Sequence, residues 1–417
     1  MTQSVDSYSY MFSDAVHSLQ ASDIRDLMKY AIQPGFISLA GGMPNNHLFP
    51  VDEVEKIYHA LPRREKELSF QYGPTTGYPP LIEALKDYMA SKGIPMDSHE
   101  LMITTGSLQA IYIFTYLMAN RGESILTENP SFIGSLSLFH SFDLQLQGVG
   151  LDEDGILMDE LEAQTARARI AGRNLKFLYL IPNFHNPAGI IYSPERRRQV
   201  LDYIAREKIM LLEDDPYNEL YFNEEDKPLT RPILAMADEE VRRQIVYVGS
   251  FSKILGPGFR LGWMVMPKPV FRYAELLKQS LDACSPNLSQ IIANAFMRQG
   301  YMERYLERIR PQYKLRKDLT IEAMRKYFPP EAQFVEPRGG FYVWVTLPEG
   351  VDAQRVLDYS IRRKVVFVLG KSFDPAGRSA NKFRVAFSNV NPEDIEPAIR
   401  IIGEGIRQVL KEQNPSR

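Results

Sequence analysis

An α/β fold with a largely parallel sheet, joined to a smaller α+β unit, is what this 417-residue sequence predicts. Three observations carry that expectation. Short apolar runs alternate with helical patterns between residues 100 and 267. Several of those runs are hydrophobic without alternation, as strands buried on both faces of a parallel sheet must be. After about residue 305 the pattern changes to a long charged helix followed by short strands interleaved with helices.

Taken in order, residues 1–50 read as an N-terminal segment that packs with the smaller unit, and 51–305 as the large unit. A helix is predicted over 79–91 (PPLIEALKDYMAS), with proline at its start. A second is predicted over 194–207 (PERRRQVLDYIARE), with Ser193 as its N-cap. The apolar runs ELMITT, ESILT, LKFLYLI, IMLLE, QIVYVG and RLGWMVM read as strands. Residues 306–417 form the smaller unit. There a helix over roughly 301–328 precedes PRGGFYVWVTLP, VVFVLGKSF and KFRVAFS, read as three strands.

Composition narrows the function classes. Hydrophobic residues make up 44% and charged residues 24%, as in soluble globular proteins. Lys and Arg number 49 against 52 Asp and Glu, so the net charge of −3 implies no polyanion-binding surface and no nucleic-acid partner. One cysteine, Cys284, excludes an internal disulfide and argues against a cysteine metal site. No signal-peptide pattern and no membrane-length apolar run is visible. A cytoplasmic enzyme is expected, without a metal.

Four predicted strands end in polar residues suited to a ligand: TTGSLQ (104–109), PNFHNPAG (182–189), EDDPY (213–217) and GSFSK (249–253). Ligands in open α/β sheets bind outside the carboxyl ends of the strands, so the four should converge on one crevice. Each alone reads as a loop; together they do not. Lys253, after Ser250 and Ser252 and seven residues before Arg260, has the setting of a reactive lysine rather than a surface one. Covalent attachment of pyridoxal phosphate suits such a lysine, and that chemistry needs a carboxylate beside the pyridine nitrogen. EDDPY supplies Asp214 or Asp215. Tyr217 and Asn186 are placed to reach the cofactor's phenolic oxygen. Gly106, Ser107 and Leu108 lie where a strand turns into a helix expected to begin near Gln109, with backbone donors for a phosphate. Ser250, Ser252 and Arg260 add hydroxyls and a fixed cation. Phe132, in ENPSF, reads either as a ring stacked on the cofactor or as an ordinary core residue.

With these residues the chain resembles the fold-type I pyridoxal-phosphate enzymes, specifically the class I/II aminotransferases, and is similar to the 2-aminoadipate/kynurenine aminotransferase group. The resemblance spans about residues 20–410 through GGMPNNHLFP (41–50), QYGPTTGYPPLIEAL (71–85), TTGSLQAI, PNFHNPAG, EDDPY, SFSKILGPGFRLGW (250–263), PRGGFYVW (337–344) and FRVAFS (383–388). It implies an aspartate-aminotransferase-like fold: a mostly parallel mixed sheet sandwiched by helices, plus a small α+β domain. It makes Lys253 the Schiff-base lysine and general acid/base, and Asp214 the partner of the pyridine nitrogen. Asn186 and Tyr217 then contact the phenolic oxygen, while Ser107, Leu108, Ser250, Ser252 and Arg260 hold the phosphate. Phe132 stands where the nearest group carries Tyr. Tyr72 reaches the phosphate of a neighbouring subunit, which implies a homodimer with shared sites. Arg384 binds the substrate α-carboxylate, near Gly42 and Asn186. Arg25, beside Ile24, Leu27 and Met28, corresponds to an Arg near the substrate side chain; its plainer reading is a solvated residue of an amphipathic helix.

The implied activity moves an amino group from an L-amino acid (2-aminoadipate, aromatic or aliphatic) to a 2-oxo acid by a ping-pong sequence. A lyase or decarboxylase on the same fold is the main rival. A transcription regulator with an aminotransferase-like domain is a remote one, since only about forty residues precede GGMP and the charge balance is acidic.

Overall fold

The structure, a computed structural model, describes residues 10–13, 16, 27, 29–30 and 33–413. Arg25, Ile24 and Met28 lie outside the described residues. After a short strand β1 (Ile37–Ser38) come β2 (His99–Thr104), β3 (Ser124–Asn129), β4 (Gln145–Asp152), β5 (Gly155–Ile156), β6 (Leu175–Leu180), β7 (Met210–Asp214), β8 (Ile245–Ser250) and β9 (Gly262–Pro267). The last five strands are β10 (Gln333–Phe334), β11 (Tyr342–Thr346), β12 (Val365–Val366), β13 (Val368–Leu369) and β14 (Lys382–Ala386).

Strands β2 to β9 form one sheet in the order β2-β9-β8-β7-β6-β3-β4-β5. Parallel pairing joins β8, β7, β6, β3 and β4, whereas β9 runs antiparallel between β2 and β8. Both faces are covered. Leu211, Tyr247 and Val265 enter one core with helices Pro79–Ser91 and Pro194–Glu207; Leu212, Val248 and Met264 enter the other with helices Ser107–Met118 and Ile133–Ser141. This two-sided burial is why β8 and β9 are apolar at nearly every position.

Local signals set the helices predicted from sequence. Pro194–Glu207 begins where the Ser193 side chain accepts a hydrogen bond from the Arg196 amide at 3.1 Å, and Pro79–Ser91 opens with prolines in its first turn. The helix expected near Gln109 starts two residues earlier, at Ser107. Gly106, at φ +82°, makes the sharp entry.

A second sheet, β10-β11-β14-β13, is antiparallel and packs Val343, Val345, Phe383 and Val385 against helices Tyr301–Tyr327 and Pro392–Gln413. VVFVLGKSF, read as one strand, is split. Val365–Val366 pairs with β1, whereas Val368–Leu369 pairs with β14. The parallel β1–β12 pair thus sews residues 37–38 to the second sheet's core, and the strap that follows, 39–43, passes between the two sheets. Among the described residues no helix is long and apolar enough to cross a membrane, and no cluster of His, Cys, Asp or Glu is arranged to hold a metal.

Candidate active site

The carboxyl ends of β2, β6, β7 and β8 do converge. With the strap and the second sheet they line a cavity of about 330 Å³. Its wall contains Gly42, Ser107, Leu108, Phe132, Asn186, Asp214, Tyr217, Ser250, Ser252, Lys253, Arg260 and Arg384, so twelve of the fourteen residues to which the family resemblance gives a role share one space. Tyr72 does not join them: it is 82% exposed on the surface. Arg25 lies outside the described residues. A larger crevice of about 960 Å³ elsewhere shares none of these residues, and its central charges are already paired, with Glu219 held by Lys92 and Arg310.

Lys253 reaches into the cavity from the turn after β8, where its Nζ donates to the Gly42 carbonyl at 3.1 Å. It lies 5.7 Å from the centre of the Tyr217 ring and 5.6 Å from that of Phe341. Although partly accessible from the cavity, the amine is packed round by protein. That burial, with the positive charges of Arg384 and Arg260, pulls it down to about 8. A lysine so placed is a usable base and nucleophile near neutral pH.

Two consecutive aspartates face opposite ways from the end of β7, as strand alternation requires. Asp214 accepts from the Tyr179 hydroxyl on β6 at 2.7 Å through Oδ2, and its Oδ1 is buried with no hydrogen-bond partner. Burial pushes its carboxyl up to about 7, the Tyr179 bond opposes the rise, and Asp215 and Glu128 add to it. Asp215 is instead fully engaged by Asn183 at 2.9 Å, Asn218 at 3.0 Å and Tyr247 at 3.1 Å, and it does not line the cavity. Of the two aspartates, Asp214 is the one that lines the cavity.

One side of the cavity is built to receive an anion. Ser107 and Leu108 open the helix Ser107–Met118, and the Ser252 amide donates to Ser250 Oγ at 3.2 Å. The Arg260 guanidinium lies against Gly106: a Cβ there would sit 2.8 Å from Nη2. Helix-start amides, hydroxyls and a guanidinium are the usual components of a phosphate cradle.

From the other side, Arg384 projects off β14. Its Nη1 donates to Asn186 Oδ1 at 2.8 Å, its Nη2 donates to the Ala40 carbonyl, and its Nε is buried without a partner. The guanidinium is sandwiched by the rings of Tyr342 at 4.5 Å and Phe373 at 4.7 Å. Asn186 is itself fixed from below. His185 Nδ1 accepts from the Ala188 amide at 3.1 Å, and Nε2 sits 3.0 Å from Glu128, which also receives Tyr192 at 2.7 Å.

Sequence reasoning did not single out Tyr179 or Tyr342. Tyr179 is a phenol in an apolar buried strand, a sign that its hydroxyl has a partner. Tyr342 lay within PRGGFYVW without a role; its hydroxyl lies 2.8 Å from that of Tyr217 and 3.4 Å from the Gly42 carbonyl.

Comparison with known proteins agrees with this architecture. The chain is 34% identical over 405 residues to the aromatic-amino-acid aminotransferase 1 of Thermococcus litoralis, covering 97% of this chain and 96% of that one. It is 32% identical over 404 residues to the 2-aminoadipate transaminase of Thermus thermophilus, covering 97% and 98%. The Pyrococcus horikoshii kynurenine aminotransferase, solved in complex with PMP, superposes with a TM-score of 0.92 at 32% identity, over 97% of this chain and 99% of that one. Residues 43–402 match the family model of class I and II aminotransferases, and the chain belongs to that family.

Proposed function

We propose that the protein is a pyridoxal 5′-phosphate-dependent aminotransferase that moves the amino group of an L-amino acid to a 2-oxo acid such as 2-oxoglutarate. One observation carries the reading: an amine poised near neutral pH, Lys253, shares a cavity with a buried, unpartnered carboxylate oxygen, Asp214 Oδ1. That pair, with an anion cradle, fits pyridoxal phosphate, whose pyridine nitrogen requires an acceptor and whose phosphate requires donors. When bound, the cofactor supplies a carbonyl for the amine and an electron sink for the broken Cα–H bond.

The chain's own residues do the rest. Asp214 holds the proton of the pyridine nitrogen, and Tyr217 and Asn186 donate to the phenolic oxygen. Ser107, Leu108, Ser250, Ser252 and Arg260 bind the phosphate, and Phe132 covers the ring face. Lys253 Nζ would anchor the cofactor covalently and, as an amine poised near neutral pH, would serve as the base for the substrate Cα proton. Arg384, whose Nε lacks a partner, receives the α-carboxylate beside Gly42 and Asn186.

A core around Val343, Val345, Phe383 and Val385 and the β1–β12 pairing support reading 51–305 and 306–417 as a large and a small domain, with 1–50 attached to the latter, although Ile309, Tyr313, Phe341 and Tyr342 pack into the core of the main sheet. The composition supports a cytoplasmic setting. Tyr72 is assigned to the phosphate of a second copy, making the active unit a homodimer. Chains carrying Tyr72→Phe and Lys253→Ala, each impaired alone, should regain activity when mixed and reassembled, because one site of the mixed dimer has neither lesion. A fully active monomer would end that assignment.

Substrates of the relatives suggest 2-aminoadipate, aromatic and aliphatic donors. Arg25→Ala should then lower turnover of glutamate and 2-aminoadipate while sparing leucine. The decisive assay offers a panel of amino donors with 2-oxoglutarate and measures both products. Stoichiometric glutamate and 2-oxo acid are expected; ammonia or carbon dioxide released without an acceptor would favour the lyase or decarboxylase instead.

A further inference from the structure

We propose that Tyr342 is a positioning residue for the reaction, whose hydroxyl decides whether Tyr217 donates its proton into the cavity or away from it. The inference rests on the reading of Tyr217 as the donor to the cofactor's phenolic oxygen. A phenol has one proton and two lone pairs. Tyr342 Oη lies within reach of two partners: Tyr217 Oη at 2.8 Å and the Gly42 carbonyl at 3.4 Å. A carbonyl only accepts. When Tyr342 points its proton at Gly42, the short contact with Tyr217 requires Tyr217 to donate to Tyr342, and nothing is left for a ligand. When Tyr342 turns its proton to Tyr217, the Tyr217 proton is released toward the cavity, and the bond received from Tyr342 strengthens it as a donor.

The surroundings are arranged for such a rotor. Both rings are buried and meet edge to face with centres 5.8 Å apart, so the oxygens stay in place while the proton turns. In the cofactor-free protein the Gly42 carbonyl also accepts from Lys253 Nζ at 3.1 Å, so the carbonyl does not depend on Tyr342 for its donor there. The charged groups facing the pair are few: Arg384 over the Tyr342 ring, Lys253 on the shared carbonyl, and Asp214 on the Tyr217 side. Burial keeps Tyr342 protonated against the opposing pull of Arg384 and of the bond from Tyr217. Tyr217 is held firmly protonated by burial first and by Tyr342 next, so both phenols retain the proton the rotor needs.

The test is Tyr342→Phe in the holoenzyme, which keeps the ring against Arg384 and removes only the hydroxyl. A donor to the phenolic oxygen withdraws density from the adjacent nitrogen that links Lys253, and so keeps the titration of the cofactor's visible absorption low. Tyr342→Phe also removes the alternative acceptor, but the cofactor's phenolic oxygen, the stronger acceptor, already holds the Tyr217 proton in the holoenzyme. The net loss is therefore the strengthening bond, and the midpoint should rise by up to about one unit, the size of one neutral hydrogen bond. In a Tyr217→Phe background the same change should move the midpoint by less than about 0.2 unit, because the effect acts through Tyr217. An unmoved midpoint in the single variant, or an equal shift in both backgrounds, overturns the proposal. A parent protein with no visible cofactor band would instead overturn the functional reading beneath it. Misfolding is separated by a third measurement: the melting temperature of Tyr342→Phe should match the parent within a few degrees, and Tyr342→Leu, which loses ring and hydroxyl together, should reproduce the spectral shift if it folds.

Discussion

The two walls of the cavity are built by different means. On one side, Asn186, Asp214, Tyr217 and Lys253 stand at the carboxyl ends of β6, β7 and β8, backed by the main sheet and by buried partners of their own, such as Tyr179 behind Asp214. On the other, the strap 39–43, β11 and β14 reach across with a few side-chain hydrogen bonds, Arg384 to Asn186, Tyr342 to Tyr217, and Gly42 to Lys253, beside the packing of Phe341 and Tyr342 into the core of the main sheet. Side chains fixed from behind suit a cofactor that must not move between half-reactions. A wall held by a handful of exchangeable hydrogen bonds suits substrates that come and go. Arg384 can trade its bond to Asn186 for one to a carboxylate, with no charge left unpaired.

The division can be broken by mutation. Lys253→Ala, which removes the proposed anchor and base together, should cut turnover by about a thousandfold or more, with borohydride labelling lost from that peptide. Next is Asp214→Asn, expected to lower kcat by about a hundredfold or more. Asp215→Asn should cost kcat less than about tenfold and lower the melting temperature instead, since the new NH2 can no longer accept on one side, either from Asn183 or from Asn218 and Tyr247. If Asp215→Asn proved the more damaging to kcat, the first wall would be assigned to the wrong face of β7.

Arg384→Ala tests the other wall. It should lower kcat/KM for every amino donor by about ten- to a hundredfold, the value of a charge-assisted contact. An effect confined to acidic donors would move Arg384 to the distal end of the substrate and undo the comparison.

The smallest effect is thermal. Burial raises Asp214 to about 7, so the cofactor-free folded protein binds this proton more tightly than the unfolded chain does. Its contribution to stability is full below the ordinary carboxyl range and is lost as pH rises through about 7. Asp214→Asn should therefore gain in melting temperature relative to the parent between pH 5 and about 7.5, followed by calorimetry on cofactor-free protein. A constant gap across that range would mean the site is wetter than its burial implies.

How much of this was legible beforehand varies with the range of the interaction. Helix Pro194–Glu207 was read because its cap, Ser193, and its proline are neighbours in sequence. Strand β4 was missed. Gln145–Asp152 is half-buried and contains two glycines, so it shows neither a continuous apolar run nor clean alternation. The VVFVLGKSF run looked like one strand because nothing local says that β1, more than three hundred residues earlier, will claim half of it. The residues at strand ends carried their chemistry in their types. The supports did not: Tyr179 meets Asp214, and Tyr342 meets Tyr217, only once the sheets are assembled.

The strap has a consequence for how this cavity can change. Its holds on the site run through backbone oxygens: Ala40 for Arg384, Gly42 for Lys253 and Tyr342, and Met43 for Ser388 at 2.7 Å. A backbone oxygen is supplied by any residue, so Met43, which lines the cavity, is free to drift, and with it the shape of the space a substrate fills, while the lysine and arginine keep their anchors. Leu39 and Ala40 are held by the core. Gly42 is fixed too, since a Cβ would lie 1.9 Å from the Tyr342 oxygen. Directed evolution of donor preference would do best to randomise Met43 and leave Gly42 and the buried Ala40 alone, because at Met43 diversity in shape costs nothing in chemistry.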